Sequence, residues 1–101
     1  MNKTAVVVTT DSRGVFFGYV DDFSIPESSN RTVTLYDCRM VVYWDPETKG
    51  LMDLPSRGPS NKCKISPPSP VVQISGVHFM AQCTKESTAL FENAPWASDT
   101  N

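Results

Sequence analysis

A long segment without glycine or proline, Arg31 to Trp44 (RTVTLYDCRMVVYW), most constrains what this chain can fold into. β-branched and aromatic residues dominate the segment, and that composition favours an extended strand. Strict alternation would place Leu35 and Cys38 on opposite faces, so the pattern changes phase near Asp37. A β-bulge at this point would turn both side chains toward one core. We therefore predict one long, bulged strand.

The second half of this strand carries the residues of greatest functional interest. With the bulge in place, Met40 and Val42 would face the core, and Arg39 and Tyr43 would lie on the opposite face. If Trp44 packs inward, Arg39 and Tyr43 are free to meet a ligand or a neighbouring subunit. Simple core or rim packing of the two aromatic residues is the alternative, because large aromatic side chains often carry core energy.

Shorter β-rich runs flank the central strand. Thr4 to Thr10 and Val15 to Val20 are separated by turn residues, and Val71 to Cys83 forms the last β region. Gly18 indicates strong curvature or the close approach of another backbone, and Gly76 indicates a bend. These runs predict a mainly β fold, a small β-barrel.

One helix is predicted after the last strand. Thr84 can cap the segment Lys85 to Asn93, and Pro95 would end it. Its apolar stripe should pack against the barrel, with Trp96 pinning its end. The proline-rich residues 66–70 favour an extended connector that crosses to the far side of the barrel. We expect a single domain over residues 1–96, with the helix at about 84–93 and a frayed tail over 97–101.

The charge composition limits the classes of ligand that the protein can bind. The chain has 101 residues, a formal net charge of −2 and a pI near 5.2, which argues against general coating of DNA. Between Arg39 and Lys64, however, five basic residues face three acidic ones. A local cationic site on an acidic body suits a small anion better than a polymer. Solvated loop charge is the alternative explanation.

Metal, cofactor and membrane functions are not expected. The three cysteines are widely spaced and His78 is the single histidine, which makes a zinc site or a disulfide framework unlikely to form. We therefore expect no metal and no cofactor. The sequence has no apolar run close to the roughly 20 residues of a membrane span and no secretion signal. We expect no membrane partner and a cytosolic location.

The chain contains the segments RGVFFG at Arg13–Gly18, TVTLYDCRMVVYW at Thr32–Trp44, TKGL at Thr48–Leu51, GPSNKCKI at Gly58–Ile65 and CTKES with FENAPW between Cys83 and Trp96. In these segments it resembles a family of small, uncharacterised proteins of bacteriophages and prophages. This resemblance implies a phage origin, an accessory role and a location in the cytoplasm of the host bacterium.

The segments GVFFGYV and TVTLYD also resemble Sm-like and SH3-like small β-barrels. This second resemblance implies assembly into a homo-oligomer with nucleotides bound at subunit junctions.

These observations predict a phage counter-defence protein that sequesters a nucleotide-like immune signal of the host. An aromatic ring would stack on the base and cations would neutralise phosphate. Two alternatives stay open: a module that inhibits a host enzyme or defence complex, or a single-strand nucleic-acid binder. Catalysis is not expected, because His78 stands alone in a strand and the pair Asp21 and Asp22 lies in a turn. The predicted ligand-binding residues are Arg39, Tyr43, Trp44, Lys49, Arg57 and Lys62.

Overall fold

The structure, a computed structural model, describes residues 3–12, 14–27, 29–44 and 50–94. Within these residues the chain is mainly β, with two short helices. The elements in chain order are β1 (Thr4–Thr10), β2 (Val15–Val20), β3 (Val33–Tyr43), α1 (Asp53–Ser56), β4 (Lys64–Ile65), β5 (Ser69–Ile74), β6 (Val77–Gln82) and α2 (Lys85–Asn93).

All strand pairs that the structure describes are antiparallel and belong to one sheet. The order is β4-β3-β2-β1-β6, and β5 also pairs with β3. β4 and β5 therefore share one edge of β3, on the side away from β2. β5 pairs with β3 and β6 pairs with β1, although only Ser75 and Gly76 separate these two last strands.

The predicted bulge in β3 is confirmed. Phe17 pairs with Arg39 and Tyr19 with Tyr36, so β3 contains one more residue than β2 across this interval. Asp37 has a φ of 51°, a left-handed conformation that aspartate tolerates better than most residues. The bulge brings Leu35 and Cys38 into one buried cluster, as the phase change predicts.

The expectation for the far end of β3 is wrong. Met40 and Val42 are 42% and 55% exposed, whereas Val41 and Arg39 are buried. The reason is that the core changes sides along β3. At this end the packed face is the opposite one, where Val41 lies in a cluster with Leu54 of α1.

The sheet is buried on both faces, and β1 explains how. Val6 and Val8 point to one face and Val7 to the other, and all three side chains are fully buried. A continuous apolar run is typical of a strand covered on both sides. We call the two surfaces the inner face, whose buried residues are Val6, Val8, Val20, Val33, Leu35, Cys38, Ile74 and Val77, and the helix-covered face, whose buried residues are Val7, Val15, Phe17, Val41, Leu54, Cys63, Ile65 and Phe91.

Two glycines act as the sequence predicts. A Cβ atom on Gly18 would lie 3.0 Å from the Cβ of Leu35 and 3.3 Å from the carbonyl oxygen of Tyr36, which is the close approach expected of a glycine within a strand. Gly76 has a φ of +74° and separates β5 from β6. A residue with a side chain would be strained there.

Helix α2 begins where the sequence predicts. The hydroxyl of Thr84 accepts a hydrogen bond from the backbone N–H of Ser87 at 3.1 Å, and the helix ends at Asn93. The ring of Phe91 stacks on Phe17 with 4.5 Å between ring centroids. Leu90 belongs to the apolar stripe of the helix that we expected to pack against the barrel, but it is 47% exposed. Pro95 and Trp96 lie outside the described residues.

Helix α1 is absent from the sequence prediction, which reads this segment as turns. Its single turn is held by α2: the Ser87 hydroxyl donates to the carbonyl of Leu54 at 2.5 Å, and the Thr84 N–H donates to the carbonyl of Pro55 at 2.9 Å. Neither of the described helices has the length and apolar character needed to cross a membrane.

The proline-rich connector does not cross the molecule, which corrects the sequence prediction. β5 begins at Ser69, which pairs with Cys38, and the preceding Ser66 donates its N–H to the carbonyl of Met40 at 2.9 Å. The chain therefore continues along the same edge of β3. Pro70 is tolerated there because a strand with an unpaired side has no need of every N–H group.

Candidate functional site

Arg39 is a buried cation, with only 4% of its surface exposed. Its Nε donates to the carbonyl of Ser66 and its Nη1 to the carbonyl of Phe91, both at 2.7 Å. Its Nη2 is buried and has no hydrogen-bond partner among the residues that the structure describes. The prediction of an exposed Arg39 is therefore wrong, because the bulge turns it toward the helix-covered face, where α2 packs over it.

Arg39 lines a cavity of about 260 Å³ at the C-terminal end of α2. Phe17 and Tyr19 meet edge to face in its wall, with 5.6 Å between ring centroids. Asp37 and Glu92, both exposed, contribute carboxylates. We call this cavity the Arg39 pocket, and its described lining residues are Phe17, Tyr19, Asp37, Arg39, Pro68, Glu92 and Ala94.

Electrostatics in the Arg39 pocket are unbalanced at the arginine. Burial lowers the pKa of Arg39, but a guanidinium stays charged in proteins. Within the described chain its partners are backbone carbonyls and no carboxylate. Tyr19 donates its hydroxyl proton to Glu92, and burial followed by that carboxylate raises the Tyr19 pKa well above its usual value. The pocket thus contains a neutral phenol and a buried cation whose described hydrogen-bond partners are uncharged.

The other predicted ligand residues do not line this pocket. Tyr43 is about half exposed at the end of β3, and Trp44 packs against the helix-covered face. Arg57, just after α1, makes a two-pronged contact with Asp53, at 2.8 and 2.6 Å. Lys62 is exposed in the turn before β4, and its backbone N–H donates to Ser60 at 3.2 Å.

Lys49 lies outside the described residues. Of the six predicted residues, the structure therefore places only Arg39 among the described lining of the pocket. The role of Lys49 therefore stays a prediction. The other predicted aromatic and basic residues do not gather around Arg39 in the described part of the chain.

Residues 3–91 match the model of a family described as a domain of unknown function, DUF6948. The chain belongs to this family. No curated protein and no solved structure matches the chain. The matched range includes Arg39 and most of the described lining of its pocket, whereas Glu92 and Ala94 lie just beyond it.

This DUF6948 domain also contains a polar cluster that the sequence analysis missed. The Nδ1 atom of His78 lies 3.1 Å from a carboxylate oxygen of Asp11, and its Nε2 lies 3.3 Å from the hydroxyl of Thr9. The cluster lines a second cavity of about 270 Å³, together with Trp44 and Leu51. Spacing could not reveal it, because His78 is 67 and 69 positions away from its partners.

Cys38 and Cys63 are buried in this domain, and Cys83 is half-buried. Burial raises the pKa of Cys38 and that of Cys83 to about 11, although a hydrogen bond with Ser87 opposes the shift at Cys83. Both thiols are therefore protonated at neutral pH and are poor nucleophiles.

Proposed function

We propose that this protein binds a small nucleotide-like ligand in the Arg39 pocket and holds it without transforming it. The observation that carries the proposal is the buried Nη2 of Arg39, which finds no hydrogen-bond partner within residues 3–12, 14–27, 29–44 and 50–94. A buried donor left unsatisfied costs about 1–3 kcal/mol, and more when the group is charged. A ligand oxygen placed on this donor would remove that cost.

The walls of the pocket narrow the chemistry of the ligand. Tyr19 and Pro68 offer apolar surface to a planar ring. Asp37 and Glu92 would repel a polyphosphate but accept hydrogen bonds from ring N–H and amino groups. Nucleobases combine both features: arginine donates to the oxygen of guanine, and carboxylates accept from amino groups. We therefore propose that the base of the ligand, rather than its phosphate, enters the pocket.

The biological role that we propose is sequestration of a nucleotide immune signal by a phage accessory protein in the bacterial cytoplasm. The support for this setting is the sequence resemblance to small phage and prophage proteins. A protein that acts by sequestration needs affinity and copy number and no catalytic group. A ligand held between aromatic rings and a buried arginine would meet that requirement.

The first experiment is mass spectrometry of small molecules released by heat from protein purified out of bacteria that make nucleotide signals. A stoichiometric nucleotide would support the proposal. Calorimetry with guanosine monophosphate, and adenosine monophosphate as comparator, would then test the preference for a guanine base directly.

Two matched variants locate the binding site. Arg39→Met removes the buried donor, and Arg57→Met removes an exposed arginine that is already bound by Asp53. We expect nucleotide binding to be lost in the first variant and retained in the second. The opposite result would move the site to the cationic loop predicted from the sequence, and binding that survives both changes would refute the Arg39 pocket.

A second candidate function is inhibition of a host enzyme or defence complex through an exposed apolar surface. Met40 and Val42 expose about half of their surface at the far end of β3, and exposed apolar side chains of this kind can serve protein contacts. Under this candidate, one host protein co-purifies stoichiometrically with the wild type. Co-purification is then lost in a Met40→Lys, Val42→Lys double variant.

The frame that we propose for this site is a small closed barrel. Its support is the path of the last strands: β5 pairs with β3, β6 pairs with β1, and both run antiparallel to partners that point the same way. A strand that bends at Gly76 and serves both edges would close the sheet. An experimental structure with an open gap between these edges would contradict the barrel.

Assembly into a homo-oligomer is part of the same proposal and rests on the resemblance to Sm-like barrels. Light scattering during size-exclusion chromatography measures it directly. A mass of several chains would support assembly, and a mass near 11.2 kDa would refute it.

A further inference from the structure

We propose that Thr9, His78 and Asp11 form an acyl-transfer site, in which the Thr9 hydroxyl is the nucleophile and His78 is its general base. The two contacts run in series: the Thr9 hydroxyl lies 3.3 Å from Nε2, and Asp11 lies 3.1 Å from Nδ1. A nucleophile within reach of a base, with the base oriented by a third group, is the arrangement that activates a hydroxyl.

A β-bulge aims His78 at Thr9. Thr9 pairs with Phe79 and Thr10 pairs with Val77, so His78 is an extra residue on β6 at this point. Without the bulge, the alternation of side chains along β6 would place a residue other than His78 beside Thr9. Bulges next to active sites commonly redirect a side chain in this way.

Both ring nitrogens of His78 have a partner within hydrogen-bond distance. The neutral tautomer with its proton on Nδ1 satisfies both contacts, since Nδ1–H donates to Asp11 and Nε2 accepts from Thr9. Asp11 is a positioning residue, held in turn by Arg31, whose Nη2 donates to its other oxygen at 2.5 Å. Its backbone N–H also donates to the carbonyl of Gly76 at 2.9 Å.

The adjacent cavity indicates the substrate class. It has about 270 Å³ and is lined on one side by Trp44, Leu51 and Val15. Thr9 itself is only 5% exposed, so a reacting carbonyl must enter this cavity to reach it. A small ester or thioester with a short apolar acyl group fits such a wall.

The proposed step balances without any further reactant. The Thr9 oxygen bonds to the acyl carbon, and the bond from that carbon to the leaving alcohol or thiol breaks. The proton of Thr9 passes to Nε2 of His78 and then to the leaving group. Water, activated by the same imidazole, later breaks the acyl–Thr9 bond, and Thr9 regains a proton.

This site is independent of the Arg39 pocket. Along β1 and β2, Thr9 pairs with Val15 near the hairpin turn, whereas the Arg39 pocket lies toward the opposite end, where Ala5 pairs with Tyr19. The two cavities share none of their described lining residues. Loss of nucleotide binding would therefore leave this proposal standing, and the reverse also holds.

The test is acylation of the full chain by p-nitrophenyl butyrate, followed by intact-mass measurement and peptide mapping. We expect release of nitrophenol and one butyryl group on Thr9. Thr9→Val should remove this adduct, and Thr9→Ser should keep it. Thr34→Val, a matched threonine of β3, should react like the wild type.

The base and the positioning residue are tested by rate. His78→Ala should acylate roughly 10²–10⁴-fold more slowly, and added imidazole should restore part of the rate, which a purely structural role of His78 would not allow. Asp11→Asn should slow acylation and change its pH profile while the circular dichroism spectrum stays the same. A Thr9→Val variant that releases nitrophenol at the wild-type rate would overturn the proposal, and so would a butyryl group that peptide mapping places on a residue other than Thr9.

Discussion

The two faces of the sheet have different chemistry. On the inner face, the buried cluster consists of aliphatic side chains and Cys38. The helix-covered face also packs apolar residues, but it includes the buried charge of Arg39 and the buried hydroxyls of Thr9 and Ser87. The buried hydroxyl of Thr10 is satisfied within the β1–β2 turn, by Ser12 and the N–H of Gly14. The helix-covered face satisfies most of its polar groups from α2, β6 and the loops.

The difference indicates where function can lie. A buried polar group costs free energy unless it is hydrogen-bonded, so its presence needs an explanation. Ser87 is explained by its bond to Leu54, which joins the two helices. Arg39 is explained only in part by the carbonyls of Ser66 and Phe91, because Nη2 is left over. The inner face supports the fold, and we assign ligand binding to the helix-covered face.

Phe91→Ala should have the largest effect. It removes a fully buried ring that stacks on Phe17 and holds α2 over Arg39. We expect the free energy of unfolding to fall by about 3–5 kcal/mol, with loss of nucleotide binding in the protein that remains folded. Urea unfolding and calorimetry measure the two effects. Leu90→Ala, on the exposed side of the same helix, should change stability by only about 0.5 kcal/mol.

Leu35→Ala tests the inner face. This side chain is fully buried and packs against Gly18, and its loss should lower the free energy of unfolding by about 2–5 kcal/mol. Nucleotide affinity of the folded protein should be unchanged, because Leu35 points away from the Arg39 pocket. A parallel loss of affinity would break the division between the faces. Val71→Ala, an exposed position on β5, serves as control.

Thr84→Ala tests the connection between the helices. The Thr84 hydroxyl accepts the N–H of Ser87 and donates to the carbonyl of Ser56 at 2.7 Å. Loss of such a cap costs about 0.5–2 kcal/mol, which thermal unfolding can measure. The hydroxyl removed in Thr88→Ala donates to the carbonyl of Thr84 at the start of the same helix, so the loss of stability should be smaller. Equal losses in both variants would contradict the role of the cap.

Alkaline pH should weaken the fold progressively. The pKa of Cys38 and that of Cys83 are raised to about 11 by burial, whereas an unfolded thiol ionises near 8.5. The folded state therefore keeps protons that the unfolded state loses, so stability should decline as the pH rises from about 8.5 to 11. Urea midpoints across this range measure the decline. It should be weaker in Cys38→Ala, and an identical slope would contradict the assignment.

Features that depend on neighbours in sequence were predictable. The phase change at Asp37 gave the bulge, Gly18 indicated the close approach of Leu35, and Thr84 marked the start of α2. Each is decided by the covalent geometry or hydrogen bonding of a few adjacent residues. Helix α1 was missed because its single turn, which includes Pro55, depends on bonds from α2.

Features that depend on distant partners were not predictable. An arginine in a strand is expected at the surface, and the carbonyls that hold Arg39 come from residues 27 and 52 positions away. His78 is likewise aimed by a register shift against β1, which no pattern near His78 reveals. Both candidate sites of this domain are products of packing on the helix-covered face.

The division of the last β region into β5 and β6 has a consequence for how the chain folds. β3 and β1 each pair with a strand near the end of the sequence: Val33 pairs with Ile74, and Val6 pairs with Gln82. Contacts between such distant residues form late and slow the search for the native state. During synthesis, the β1–β2–β3 meander should therefore leave the ribosome with two unpaired edges, exposed to aggregation until Gly76 and the residues after it arrive.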